Sequence, residues 1–203
     1  MSQWVLASGN AGKLREFKQL LAPLNIDIQP QGELGVSDAD ETGLSFIENA
    51  ILKARHAAAA TGRPALADDS GLEVDALNGE PGIYSARFSQ RAGGEKNDAA
   101  NIEYLLQRLD GAASEQRSAR FQCVLAFMRH ALDPTPLVVQ RSWEGVILDA
   151  PVGQDGFGYD PVFFVPELGK TAAELDKATK NKLSHRGQAM AALLPLLRDR
   201  LKV

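Results

Sequence analysis

Cysteine and long apolar runs are nearly absent from this sequence. Cys123 is the only cysteine among 203 residues, which excludes an intramolecular disulfide and a cysteine-rich zinc site. No basic segment precedes an apolar one at the N-terminus, and no apolar run reaches membrane-spanning length. We therefore expect neither a secretory signal nor a membrane anchor, and a cytoplasmic location. Cys123 stands in an alternating apolar run and is predicted to pack in the core.

Positive charge is not in excess either. The chain has 22 Lys and Arg against 26 Asp and Glu, for a formal net charge of −4. Without a basic tail or an arginine stripe, a protein that binds duplex nucleic acid is not expected. A small anionic ligand remains compatible, because a metal ion and a few lysines can bind one. The length suits a single domain over residues 1–203, either of the larger kind or with two lobes around one cleft.

Helical and strand patterns alternate in the first half of the chain, and a hairpin follows. Strands are predicted at residues 4–7, 26–29, 65–69, 118–129 and 137–148, and helices after Lys13, Ser45, Asp98 and Ser184. Ser45, Asp98 and Ser184 are expected to cap their helices, Ser45 in a capping box with Glu48. Residues 77–97 are expected to form a loop. This order predicts an α/β protein with a mixed sheet.

Two adjacent carboxylates, Asp68 and Asp69, follow the apolar residues Ala65–Ala67. Side chains alternate along a strand, so both carboxylates cannot face the same side. Paired acids at a strand end, followed by Ser70 and a glycine, suit a hard cation and the phosphates that it binds. The alternative is an ordinary turn, since Asp, Ser and Gly are all common in turns.

A small polar turn, Ser8–Lys13, joins the first strand to the first helix. Free backbone amides and the helix dipole suit an anion there, and Lys13 adds a positive charge. The turn is not a Walker A loop, because Ala7 and Leu14 stand where that motif needs glycine and Ser or Thr. Helix capping by Asn10 alone is the competing interpretation.

Other polar groups are ambiguous when taken singly. The string Asp38–Thr42 resembles a phosphatase nucleophile motif but follows a loop, so that interpretation is rejected; its acids are either metal ligands or a solvated loop. Lys53 and Asn49 share one side of a helix, for which an exposed face is the simpler interpretation. Phe157, between two glycines, could stack on a base.

Assembled in order, six blocks of this chain resemble the inosine triphosphatase-like family from residue 4 to about 198. The blocks are Ser8–Lys13, Glu41–Ala54, Ala67–Leu72, Pro81–Arg87, Gly156–Pro161 and Ser184–Arg186. The resemblance implies Mg²⁺-dependent hydrolysis of dITP, ITP, XTP and dXTP to the monophosphate and pyrophosphate. It also implies a homodimer whose mixed, elongated, twisted sheet is flanked by helices, with two lobes around a central cleft.

The resemblance also implies roles for individual residues. Asp69 is the expected catalytic carboxylate and a metal ligand, with Asp40 or Glu41 as the second ligand. The expected substrate-binding residues are Ser8, Gly9, Asn10, Ala11, Gly12, Lys13, Lys53 and Ser70 and, on the nucleoside side, Phe157, Gly158, Tyr159, Asp160, Lys180, His185 and Arg186. The family often has Glu where this chain has Asp40, so the choice between Asp40 and Glu41 stays open, as does the role of Asp68.

Two other functions compete with this one. A Maf-like pyrophosphatase for other modified nucleotides would begin with a Ser-x-x-Arg-Arg type of loop, which Ser8–Lys13 lacks. A non-catalytic nucleotide sensor would tolerate loss of the acids, yet Asp40, Glu41, Asp68 and Asp69 are all present. Intact chemical groups favour catalysis.

Overall fold

The computed structural model describes residues 2–202, which form six α-helices and seven β-strands. The strands are β1 (Ser2–Leu6), β2 (Ile26–Pro30), β3 (Ala65–Val74), β4 (Ser118–Met128), β5 (Leu137–Ile147), β6 (Phe163–Val165) and β7 (Lys170–Thr171). The helices are α1 (Ala11–Leu21), α2 (Phe46–Thr61), α3 (Phe88–Arg91), α4 (Asp98–Arg108), α5 (Lys177–Leu183) and α6 (His185–Leu201). Among these residues no helix is both long and apolar enough to cross a membrane.

The strands form one mixed sheet in the order β2-β1-β3-β4-β5-β6-β7. β1 pairs in parallel with β2 and β3, whereas β6 pairs antiparallel with β5 and β7. The predicted α/β class with a mixed sheet is confirmed. The two long predicted strands near the middle of the chain are also confirmed as neighbours, β4 and β5.

The chain forms two compact units, each with its own apolar core. The first comprises residues 2–69, 123–141 and 188–202, and the second comprises residues 70–122 and 142–187. In the first, Trp4 stacks on Phe127 with ring centroids 4.3 Å apart. In the second, Phe121 packs against Phe163 at 4.4 Å. Each fully buried large apolar side chain stabilises its unit by roughly 1.5–3 kcal/mol.

Local signals explain where several helices begin and end. Ser45 Oγ accepts from the amide of Glu48, so Ser45 caps α2 as predicted, while Glu48 accepts from the amide of Leu44, one residue before Ser45. Helix α2 ends at Gly62, which is in the left-handed conformation. Ser184 Oγ accepts from the amide of Gly187 at 3.2 Å, so Ser184 caps α6 as expected. These bonds satisfy amides that have no partner within a helix.

Two local predictions are wrong. Asp98 does not cap α4; Asn97 does, through a 2.8 Å bond from the amide of Ala100 to its Oδ1, and Asp98 is the first helical residue. Residues 77–97 are not all loop, because Gly82–Arg87 forms a 3₁₀-helix and Phe88–Arg91 forms α3. The ring of Phe88 is buried, and its burial stabilises the short helix α3. The polar residues around Phe88 give no sign of a helix there.

Candidate functional site

The paired carboxylates lie in the middle of β3, not at a strand end. After Ser70 and Gly71, the buried residues Leu72 and Val74 extend the strand to ten residues. Asp68 and Asp69 are 1% and 8% exposed, so the simple turn is excluded as an interpretation. Buried carboxylates need ionic or hydrogen-bonding partners, since an isolated charge in the interior is very unfavourable.

Each carboxylate pairs with a lysine from a different helix. Asp68 Oδ1 lies 2.6 Å from Nζ of Lys13 on α1. Asp69 Oδ1 lies 2.5 Å from Nζ of Lys53 on α2. Neighbouring side chains of a strand point to opposite faces, which explains how two adjacent residues reach two different helices. The exposed-face interpretation of Lys53 is therefore wrong, since its ammonium is an ion-pair partner inside the unit.

A third carboxylate joins this group. Glu41 Oε1 accepts from Lys53 Nζ at 3.2 Å, so Lys53 lies between Glu41 and Asp69. Asp40, by contrast, is exposed. Glu41, rather than Asp40, therefore shares the Lys53 ammonium with Asp69, the expected catalytic carboxylate.

The charges of this group shift one another's pKa values. Burial raises the pKa of the Asp69 carboxyl, and the nearby Lys53 ammonium opposes that rise without cancelling it. Burial by itself would lower the pKa of Lys53, but the negative charges of Asp69 and Glu41 outweigh it and raise the pKa. Lys53 thus stays charged at neutral pH, beside a carboxyl that binds a proton more readily than an exposed aspartate does.

Helix α2 holds the segment that carries Glu41. Asn49 is fully buried, and its Oδ1 accepts from the amide of Gly43 at 2.9 Å. Glu48 Oε2 accepts from the amide of Leu44 at 2.9 Å. Two side chains from the first turn of the helix therefore fix the chain next to Glu41.

The turn before α1 is arranged around Asn10. Its Oδ1 accepts from the amides of Gly12 and Lys13, at 2.8 and 3.0 Å. The amide of Asn10 in turn donates to Ser8 Oγ at 3.2 Å. Asn10 is therefore the N-cap of α1, and this cap orients the start of the helix from which Lys13 reaches Asp68.

A second polar group lies in the other compact unit. Asp160 is 3% exposed, and its Oδ2 accepts from Lys180 Nζ and from the amide of Phe157, the latter at 2.8 Å. The Phe157 ring is 55% exposed, and Lys180 Nζ lies 4.9 Å from its centroid. Tyr159 is buried and donates from its hydroxyl to Ser85 O at 2.8 Å. An exposed aromatic ring beside a cation suits a planar ligand.

The start of α6 contributes to the same unit. His185 is 7% exposed and stacks on Phe121, with ring centroids 4.9 Å apart. Arg186 Nη2 donates to Ser70 Oγ at 3.3 Å, and its guanidinium carbon lies 5.8 Å from the Phe157 centroid. Within this unit, contacts therefore connect Ser70, Phe157, Asp160, Lys180 and Arg186.

The carboxylates of the first unit fit a magnesium ion in their chemistry. Within residues 2–202, no cluster of three or more His, Cys, Asp or Glu side chains could hold a metal by itself. Mg²⁺ commonly takes only one or two carboxylates and completes its shell with water and substrate phosphates. Asp69 and Glu41 converge on one cation, the Lys53 ammonium, so two carboxylate oxygens already meet at a site of positive charge.

Sequence reasoning missed the contact between Asp98 and the loop that carries Phe157. Its Oδ2 accepts from the amide of Gly158 at 2.7 Å, next to Phe157. The two residues are 60 positions apart, and no local pattern connects them. Asp98 is interpreted from the sequence as a helix cap, so the sequence indicates no other partner for its carboxylate.

In the first unit, the lysine and carboxylate pairs suit phosphate groups and a divalent cation. In the second unit, an exposed ring beside cations suits a planar group. A model described as the Ham1 family matches residues 4–196. The chain therefore belongs to the Ham1 family, which confirms the resemblance seen in the sequence motifs.

Individual relatives agree with this assignment. A protein named dITP/XTP pyrophosphatase from Yersinia pseudotuberculosis serotype I (strain IP32953) is 59% identical, over 98% of this chain and 100% of the relative. One of the same name from Escherichia coli (strain K12) is 57% identical with the same coverage. The solved structure of a HAM1 protein from Coxiella burnetii has a TM-score of 0.92 and 50% identity, over 98% of this chain and 100% of that one.

Proposed function

We propose that this protein hydrolyses dITP, ITP, XTP and dXTP to the corresponding monophosphate and pyrophosphate, with Mg²⁺ as cofactor, and so cleanses the nucleotide pool. The observation that carries the proposal is the group Glu41, Lys53 and Asp69 beside the Lys13–Asp68 pair. The names of the relatives support the substrates. We further propose that it acts in the cytoplasm, since a single cysteine fits a reducing compartment. The family resemblance supports the further proposal that it is a homodimer.

The residues of the first unit take the triphosphate in this proposal. The turn Ser8–Lys13 and Lys53 bind phosphate oxygens, and their positive charges stabilise the leaving pyrophosphate. Asp69 orients the attacking water and accepts its proton. The water oxygen bonds to the α-phosphorus as the bond from that phosphorus to the leaving pyrophosphate breaks. Asp69 and Glu41 would hold Mg²⁺, which when bound supplies a Lewis acid for the phosphate oxygens.

The residues of the second unit take the nucleoside. Phe157 stacks on the base, while His185 and Arg186 supply donors for the 6-keto oxygen, with Ser70, Gly158, Tyr159, Asp160 and Lys180 around them. An adenine base carries a 6-amino group, which would leave such a donor without its acceptor. Mismatches of that kind lower kcat/KM by several powers of ten.

The test is pyrophosphate release across a panel of dITP, XTP, dATP and dGTP, with and without a chelator. Wild type should release pyrophosphate from dITP and XTP far faster than from the other two, and the chelator should abolish release. Asp69→Asn, which keeps the size of the side chain, should lose nearly all activity. Release of orthophosphate instead, or full activity in Asp69→Asn, would refute the proposal.

A further inference from the structure

The loop that carries Phe157 is not held by burial of that ring. Phe157 is 55% exposed and lies between Gly156 and Gly158, whose φ angles are +91° and +59°. Both glycines adopt a backbone region that other residues disfavour, so this sequence could take many conformations. Something other than apolar packing of Phe157 must select the one observed.

Two carboxylates bind successive amides of this loop. The amide of Phe157 donates to Asp160 Oδ2 at 2.8 Å, and the amide of Gly158 donates to Asp98 Oδ2 at 2.7 Å. Asp160 belongs to the loop itself and also accepts from Lys180. Asp98 comes from α4, so it fixes the loop to a separate element. Hydrogen bonds from an amide to a carboxylate are shorter and stronger than neutral ones.

Helix α4, which carries Asp98, is fixed in the core of the second unit. Ile102 and Leu105 of the helix, and Leu109 at its C-cap, are buried in the core of the second unit. Asn97 caps the helix, so Asp98 does not serve as its cap. Burial chiefly, and then the charge of Asp98, raises the pKa of Tyr159, which places Asp98 close to the next residue of the loop as well.

We propose that Asp98 is a positioning residue for the nucleoside, which holds the backbone at Gly158 so that Phe157 presents its ring to the base. The inference rests on the proposed function, since it deepens the role given there to the Phe157 loop. Asp98 touches neither the phosphates nor the reacting atoms in this account. Its loss should therefore affect binding of the nucleoside more than the chemical step.

Steady-state kinetics with dITP test this directly. Asp98→Ala should raise KM roughly five- to tenfold, which corresponds to about 1–1.4 kcal/mol, and should leave kcat within about twofold. Asp98→Asn keeps an acceptor oxygen without the charge and should recover much of the loss. The matched control is Asn97→Ala, which removes the cap of the same helix but not the contact with Gly158. It should lower thermal stability and leave KM unchanged.

Binding and exchange measurements separate positioning from a general structural effect. In calorimetry, Asp98→Ala should bind inosine monophosphate several-fold more weakly, yet bind pyrophosphate as wild type does. Amide hydrogen exchange at residues 157–158 should rise in Asp98→Ala while α4 stays protected. This readout does not require activity.

The outcomes distinguish the two proposals. If wild type releases no pyrophosphate from any nucleotide, the proposed function fails. If wild type is active but Asp98→Ala matches it in KM, in inosine monophosphate binding and in exchange at residues 157–158, the inference about Asp98 is overturned. An equal loss in Asn97→Ala and Asp98→Ala would overturn it too, because that result would assign the effect to helix stability.

Discussion

The Lys13–Asp68 ion pair should couple these two residues strongly in stability. Asp68 is 1% exposed as a residue, and the Lys13 side chain is 17% exposed. At 2.6 Å, with an effective dielectric constant of about 20, the attraction of two unit charges is about 6 kcal/mol. Desolvation of the buried carboxylate offsets much of that. We expect a net coupling free energy of about 2–3 kcal/mol, above the value for exposed pairs, which is about 0–1 kcal/mol.

A double-mutant cycle measures this coupling. Asp68→Asn and Lys13→Met would be compared with the double variant in urea unfolding. Each single variant removes one charge and leaves the other inside the unit, so each should lose about 2–4 kcal/mol. The double variant should lose less than the sum of the two. Lys18→Met, at an exposed lysine of the same helix, is the control and should couple with Asp68→Asn by less than about 0.5 kcal/mol.

The cycle also tests the role of Asp68 in activity. If Asp68 holds Lys13 toward the phosphates, Asp68→Asn should raise KM for dITP and have little further effect when Lys13→Met is already present. A coupling free energy near zero in unfolding, or additive effects on KM, would refute the reasoning. The role of Asp68 would then be independent of Lys13.

Two further predictions concern a surface ion pair and a close contact. Hydrogen bonds from Arg120 lower the pKa of Asp75 to about 2, so its contribution to stability is present above about pH 4 and is lost as the pH falls through about 2. The difference in unfolding free energy between wild type and Asp75→Asn should therefore shrink as the pH falls from about 4 to about 2. The change should be about 1 kcal/mol or less, because the carboxylate is half exposed. A difference that stays constant with pH would contradict this. Gly43→Ala would place a Cβ 2.7 Å from Asn49 Oδ1. This overpacking should lower the free energy of unfolding by about 1–3 kcal/mol. It should also reduce kcat/KM for dITP, because it displaces the segment that carries Glu41. Gly32→Ala, with nothing within 4 Å of its Cβ position, should change neither, and equal effects of the two variants would refute the prediction.

Local signals were sufficient to predict much of the fold. The capping residues Asn10, Ser45 and Ser184 mark helix starts that the structure confirms, because a cap depends on residues only two or three positions apart. The alternating runs in β4 and β5 predict strands for a similar reason. Asp98 shows the limit of this reasoning, since Asn97 offers the same chemistry one residue earlier and spacing alone does not choose between them.

The candidate site depended on contacts between distant positions. Asp68 and Lys13 are 55 residues apart, and Asp69 and Lys53 are 16 apart. Periodicity places each residue on an element but says nothing about which helix covers which face of a strand. The resemblance to a family supplied Asp69 and Lys53. The pairing of Asp68 with Lys13 and the contact of Glu41 with Lys53 became visible only in the folded chain.

The buried position of Cys123 has a practical consequence for labelling. Its thiol is fully buried, as predicted for a core residue, and lies 3.9 Å from Asp68 Oδ2. Thiolates react with maleimides and disulfide reagents, and a fully buried thiol is not accessible to such reagents. A cysteine introduced at Leu132, which is 87% exposed, should therefore take up a fluorophore selectively in the native protein, with Cys123 left in place.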